Sequence, residues 1–179
     1  MLQKNNRYKL MSIFFDDPKP EGIGFQLREL SRKIKLAPTS VKNYLKEFEK
    51  ENLILRSRHR IHNYPVYYAN RDNENFKFQK KEYSISLLNE IGLIEFINEE
   101  LMPDVIILFG SMSKGEDLKD SDVDLFVLCK KSEINLKKFE KLINRKINIF
   151  FSNDFNILSK ELKNNIINGT ILKGYLKVF

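Results

Sequence analysis

Residues 105–128 read VIILFGSMSKGEDLKDSDVDLFVL. Val105–Phe109 and Leu125–Leu128 are unbroken apolar runs of branched and aromatic residues, the pattern of strands buried on both faces. The first run ends in Gly110-Ser111, where a glycine lets backbone approach a ligand closely. A loop or short helix holding Lys114 and Gly115 then leads into the second strand. In extended chain Asp122 and Asp124, two apart, project on the same face, with Val123 turned to the core. Paired carboxylates at that spacing make a site for a hard, oxygen-seeking Mg²⁺. Ser111 and the N–H groups beside it would hold the triphosphate tail of a nucleotide. Two carboxylates sharing a metal with phosphate oxygens is the layout for phosphoryl or nucleotidyl transfer.

Working outward, an amphipathic helix is expected from about Glu82 to Leu101, using Leu87, Leu88, Ile91, Ile94 and Ile97 and stopping at Pro103. Its Leu/Ile face suits packing within its own domain or on a second copy, hence a homodimer. Downstream, a helix over about 134–144 leads to a strand over 146–151. A last helix over about 154–167 has Asp154 as its cap. Phe150, Phe151 and Cys129 read as core residues.

The 179 residues carry a formal charge of +7. Residues 1–70 hold fourteen Lys/Arg against seven Asp/Glu, and residues 71–179 hold seventeen of each. The whole excess is therefore local, which points to a polyanion-binding face in a first module. No apolar run approaches the roughly 20 residues of a membrane-spanning helix. The start, MLQKNNRYKL, has no apolar leader stretch, so a cytoplasmic, membrane-free protein is expected. One cysteine excludes an internal disulfide framework, and two histidines are too few for a zinc cluster.

That first module reads as three helices and a hairpin. A helix over 7–15 is broken at Asp16-Asp17-Pro18, and a second over 26–35 has Leu27, Leu30 and Ile34 on one stripe. Leu36-Ala37-Pro38 makes a short turn into a third, over 38–52. Its apolar side is Val41, Tyr44, Leu45 and Phe48, and its other face displays Thr39, Ser40, Lys42, Asn43 and Lys46. Ser40 or Asn43 suit base edges, and Lys42 and Lys46 suit phosphates. Ala37 is a poor helix cap. Arg56, Arg58 and Arg60 alternate in what reads as a strand, so three guanidinium groups would share one face. A turn near His62-Asn63 leads into a second strand at Pro65–Tyr68.

The run LRELSRKIKLAPTSVKNYLKEFEKENLILRSR resembles the winged helix-turn-helix domains of prokaryotic transcription regulators. The resemblance covers about residues 1–70 and implies binding to double-stranded DNA. A helical bundle with merely solvated charged faces is the alternative. Residues 69–80 are polar and aperiodic, so a linker is expected over 71–81, between a winged helix-turn-helix at 1–70 and a second domain at 82–179.

In that second domain Gly110-Ser111-x10-Asp122-x-Asp124 resembles the signature of the polymerase-beta-like nucleotidyltransferases. Its compact form, over about 85–179, resembles the minimal nucleotidyltransferases of bacteria and archaea. The stretch Asn168–Leu172 is similar to the end of archaeal proteins that fuse a winged helix to such a domain. The resemblance implies an α+β chain whose second half is a mixed sheet flanked by helices, with Asp122 and Asp124 as metal ligands. Gly110, Ser111 and Lys114 would stand at the nucleotide. The family supplies a third carboxylate from a following strand, and the position aligned with it here is Asn148. A neutral amide coordinates weakly and cannot act as a base.

The expected protein is a DNA-binding regulator with a Mg²⁺–nucleotide site. If active, it transfers a nucleoside monophosphate to a protein hydroxyl. The resemblance also brings in a toxin–antitoxin setting, with a HEPN-type toxin as acceptor. A catalytically inactive relative serving as a ligand-sensing or structural repressor is the alternative. Transfer to RNA or a small molecule is a third.

Overall fold

The computed structural model describes residues 5–178. They divide into two compact units, with the boundary between Lys80 and Lys81.

The first unit starts with α1 (Asn6–Asp16), capped by the Asn5 side chain, which accepts from the Arg7 N–H at 2.9 Å. Helices α2 (Leu27–Ile34) and α3 (Pro38–Lys50) follow, joined by residues 35–37. Lys35 takes a left-handed conformation at the end of α2, and the Ser31 carbonyl accepts from the backbone N–H groups of Lys35 and Leu36. Ala37 gives α3 no side-chain cap, as expected, while Pro38 fits its first turn. Strands β1 (Ile54–Arg58) and β2 (Pro65–Ala69) form an antiparallel hairpin. Phe25 extends it by a single bridge, exchanging backbone hydrogen bonds with Tyr67 at 2.7 and 2.9 Å. The core joins Leu10 and Phe14 of α1 to Leu30, Val41, Leu45, Phe48 and Val66, all fully buried. Phe14 stands edge-on to Phe25, their centroids 5.5 Å apart.

Residues 71–81, expected as a linker, instead run into a helix, α4 (Glu74–Glu90), which crosses the boundary. Asn73 caps it by accepting from the Phe76 N–H at 3.0 Å. Within the first unit its buried side chains are Phe76 and Lys80, one turn apart, while Phe78 is exposed. A lysine on the buried stripe and a phenylalanine off it erase the periodicity that would have revealed the helix. The helix expected over 82–101 is also two. Gly92, at φ +76, ends the run, and α5 (Leu93–Leu101) starts anew.

The second unit is a four-stranded mixed sheet. Its strands are β3 (Val105–Phe109), β4 (Val123–Leu128), β5 (Ile147–Ser152) and β6 (Thr170–Gly174), in the order β5-β4-β3-β6. β3 pairs antiparallel with β4 and β6, and β4 pairs parallel with β5 through a crossover containing α6 (Lys137–Ile143). One face packs Ile106, Leu108, Val123, Leu125, Val127 and Ile147 against α5, α6 and Leu88 of α4. The other packs Val105, Ile107, Phe109 and Phe126 against Phe155 and against Ile166 of α7 (Lys160–Ile167). β6 was not foreseen, because its short polar run around Lys173 and Gly174 lacks a buried strand's pattern. Asp154 caps a short 3-10 turn at Phe155–Ile157 rather than the last helix, and Ser159 caps α7. No described helix is long and apolar enough to cross a membrane.

Two glycines separate close approach from backbone strain. A Cβ on Gly24 would lie 2.3 Å from the Tyr67 carbonyl oxygen, whereas at Gly92 space is open but φ is +76. Gly24→Ala should therefore cost about 2 kcal/mol by forcing the Phe25–Tyr67 bridge apart. Gly92→Ala should cost about 1 kcal/mol of backbone strain. Urea denaturation of both variants checks the ranking.

Candidate functional site

β3 and β4 are neighbours with Phe109 paired to Asp124, so the turn after β3 meets the start of β4. Gly110 adopts φ +75, and a Cβ there would fall 2.7 Å from Asp124 Oδ2. Only a glycine allows this turn to lie against the carboxylate, in conformation as in space. The turn continues as a short 3-10 segment, Met112–Lys114, ending at Gly115 with φ +71. The buried Ser113 hydroxyl donates to Gly110 O at 2.8 Å, and Ser111 O accepts from Lys114 N and Glu116 N at 3.1 and 3.0 Å. Ser111 is half-buried and Lys114 exposed.

Asp122 is exposed and stands one residue before β4, while Asp124 lies within the strand and is partly buried. Asn148, on the parallel neighbour β5, pairs directly with Asp124. Its Nδ2 donates to Asp122 Oδ2 at 3.2 Å and to Asp124 Oδ1 at 3.1 Å. Carboxylates only accept, so the NH₂ end of the amide has to be the end that faces them. Gly110, Asp122, Asp124 and Asn148 therefore converge on one spot, with Ser111 and Lys114 in the adjoining turn.

Phe150, two residues beyond Asn148 on the edge strand, is 43% exposed rather than core. It packs edge-on against Phe109, their centroids 5.3 Å apart. Cys129 is partly buried against the first sheet face, as expected of a packing residue. Burial first, and then the nearby Asp104 carboxylate, push its thiol pKa up, which makes it a poor nucleophile.

Among the described residues no group of three or more His, Cys, Asp or Glu side chains gathers as metal ligands. The donor set at the spot is two carboxylates and one amide. Two acidic oxygen donors on one face fit a hard divalent ion, and Asp122 and Asp124 would hold it. The amide leaves that set one negative charge short of a three-carboxylate centre. Asn148→Asp should put a third carboxylate against the other two and destabilise the protein in chelator by about 1–3 kcal/mol. Millimolar Mg²⁺ should reverse the loss, whereas wild-type stability should respond much less. Thermal melts in chelator and in Mg²⁺ check this.

On the first unit, Thr39, Ser40, Lys42, Asn43 and Lys46 all lie exposed on α3, opposite the buried Val41, Leu45 and Phe48. Arg56 and Arg58 are exposed on β1, two apart, with Arg58 Nη1 donating to Asn63 O at 3.1 Å. Arg60 does not continue the alternation, because β1 ends at Arg58. It lies in the hairpin turn, its stem over Gly22 and its guanidinium donating to Glu21 O at 3.0 Å.

The sequence reading missed the groups that hold the second-unit site from behind. Arg145 and the buried Asp117 form an ion pair at 2.7 Å, and the Glu140 carboxylate accepts from Ile147 N at 3.0 Å. Asp117 and Arg145 in loops and Glu140 on α6 gave no spacing signal that would have tied them to Asp122.

No curated protein matches the chain. Residues 91–175 match the family model described as "Polymerase beta, Nucleotidyltransferase", a stretch that contains β3 to β6 and the whole Gly110, Asp122, Asp124 and Asn148 cluster. That match, together with the mixed sheet that carries the cluster, supports a nucleotidyltransferase fold for this part of the chain.

Proposed function

We propose that the chain is a DNA-binding regulator whose second unit binds a Mg²⁺–nucleotide. One observation carries the nucleotide half. Gly110, Asp122 and Asp124 meet at one spot inside the stretch that matches the nucleotidyltransferase model. Asp122 and Asp124 would hold the cation, which when bound supplies charge neutralisation at the phosphate oxygens. Gly110 lets the turn that carries Ser111 and Lys114 lie directly against Asp124. Ser111 and its neighbouring N–H groups would hold the triphosphate of ATP or another NTP, and Lys114 would neutralise its charge.

Where transfer occurs, the acceptor is a hydroxyl on a partner protein. Its oxygen bonds to the α-phosphorus, the bond from that phosphorus to the bridging oxygen breaks, and pyrophosphate leaves. The hydroxyl proton needs a base, and Asn148 is not one, so it would pass to a carboxylate of the site, to the partner or to solvent. The resemblance to minimal nucleotidyltransferases extends the proposal to a toxin–antitoxin pair, with a HEPN-type toxin as partner.

Asn148 specifically favours a second reading. Its amide ties both carboxylates without adding a charge or a base, as suits a site that binds a nucleotide as a signal and transfers nothing.

For the DNA half, the support is the order α2, short turn, α3, hairpin, with polar and basic residues exposed on α3 and on β1. The net charge of +7 confined to residues 1–70 agrees with a phosphate-binding face. On this reading Ser40, Asn43 and Thr39 face base edges, while Lys42, Lys46, Arg56, Arg58 and Arg60 hold phosphates. The protein would act in the cytoplasm, as a homodimer on a two-fold site.

Calorimetric titration of ATP with Mg²⁺ tests the nucleotide half. Binding should require the metal and disappear in an Asp122→Asn, Asp124→Asn variant. A wild type that binds no nucleotide overturns it. For the DNA half, Lys42→Ala and Arg58→Ala should each weaken duplex binding and reduce the slope of log affinity against log salt by about one. Duplex affinity that ignores salt would remove the DNA reader.

A further inference from the structure

The loop before Asp122 is closed on itself and fastened to one arginine. Leu118 N donates to Ser121 Oγ at 2.8 Å, and Ser121 N donates to Leu118 O at 3.1 Å. Arg145 Nη1 donates to Asp117 Oδ2 at 2.7 Å and reaches Ser121 O at 3.5 Å. Asp117 is 1% exposed and the Arg145 side chain 10%, so this pair is shielded from the water and salt that weaken surface ion pairs. Asp122 comes directly after Ser121. On its other side Val123 N donates to Lys146 O at 2.9 Å. The Asp122 carboxylate itself accepts from Asn148. Residues 145, 146 and 148 thus grip the segment just before Asp122, just after it, and at its side chain. Glu140 holds the next link by accepting from Ile147 N.

We infer that Arg145, acting through Asp117 and Ser121, is a positioning residue that sets where the Asp122 carboxylate stands relative to Asp124. The inference rests on the metal–nucleotide reading for its purpose, though its geometry is independent of it. Both contacts leave from one nitrogen, Nη1, whose two N–H directions the planar guanidinium fixes. An ammonium keeps the charge but presents a single point.

Two variants of the full-length protein test the inference. Arg145→Lys keeps the charge opposite Asp117. The double variant Asp117→Leu, Arg145→Leu removes both charges together, which tends to preserve folding where loss of one partner does not. Two readouts are taken on each variant shown to be folded by its thermal melt. One is Mn²⁺ affinity by electron paramagnetic resonance. The other is the side-chain amide resonance of Asn148 in ¹⁵N NMR, which reports on both carboxylates with or without metal.

The expected result is Mn²⁺ binding weakened about 10-fold and a displaced Asn148 resonance. Adding Asp122→Asn to Arg145→Lys should then give no further loss of Mn²⁺ affinity beyond Asp122→Asn alone. Folded variants with wild-type Mn²⁺ affinity and an unmoved Asn148 resonance overturn the inference. So does unfolding of both variants, which would make the pair structural only. If wild type binds Mn²⁺ no better than Asp122→Asn, Asp124→Asn, the metal reading fails, and the Asn148 resonance alone decides the positioning role.

Discussion

One amide ties two carboxylates at the start of β4, and the candidate site of the second unit depends on that tie. Asp122 and Asp124 project to the same side because they are two residues apart in extended chain. A strand end left to itself would splay or turn one of them away. Here the neighbouring parallel strand brings Asn148 into register with Asp124, and its amide donates to both. Hydrogen bonds to charged acceptors are among the stronger ones available in a folded chain, which makes a neutral donor an effective tie. Gly110 completes the arrangement by letting the β3 turn lie against Asp124 where any side chain would collide.

The rest of the unit fixes the parts of this arrangement. Asn148 reaches the carboxylates only because β5 runs parallel to β4, and a parallel neighbour requires a crossover. That crossover carries α6, whose Glu140 accepts from the first N–H of β5. The two sheet faces bury different sets of side chains, so β4 slipping by one residue would turn Asp124 and Phe126 into the core of the first face. Register and site geometry are therefore one constraint.

The chemical spot was legible because its residues sit close in sequence and have sharp requirements. A glycine ends a buried strand, and two acids at alternate positions open the next. Asn148 could be placed against them only through the resemblance, which aligns it with the third carboxylate that the family takes from a following strand. The buried faces of α2 and α3 followed from their periodicity. What stayed hidden had no local signature. α4 buries Lys80 and exposes Phe78, which inverts the pattern an amphipathic helix normally writes. Gly92 splits a run whose apolar residues continue on both sides. Arg60 keeps the alternation in sequence while the strand ends two residues earlier, where the hairpin turns. Arg145 and Asp117 meet from loops 28 residues apart, and that pairing exists only in the fold.

The same amide that holds the site together also limits it. A third carboxylate at position 148 would add charge for a cation and a base for a hydroxyl, and in the absence of metal it would add to the repulsion instead. With asparagine there, the two carboxylates are already tied together, so on the proposed reading an ion would meet a preformed pair of ligands rather than having to gather them. Pre-assembly lowers the ordering cost of binding. It also removes the group that would take the acceptor's proton. On the proposed reading, an arrangement that favours holding a nucleotide over reacting with it would suit a chain whose first unit carries the excess positive charge.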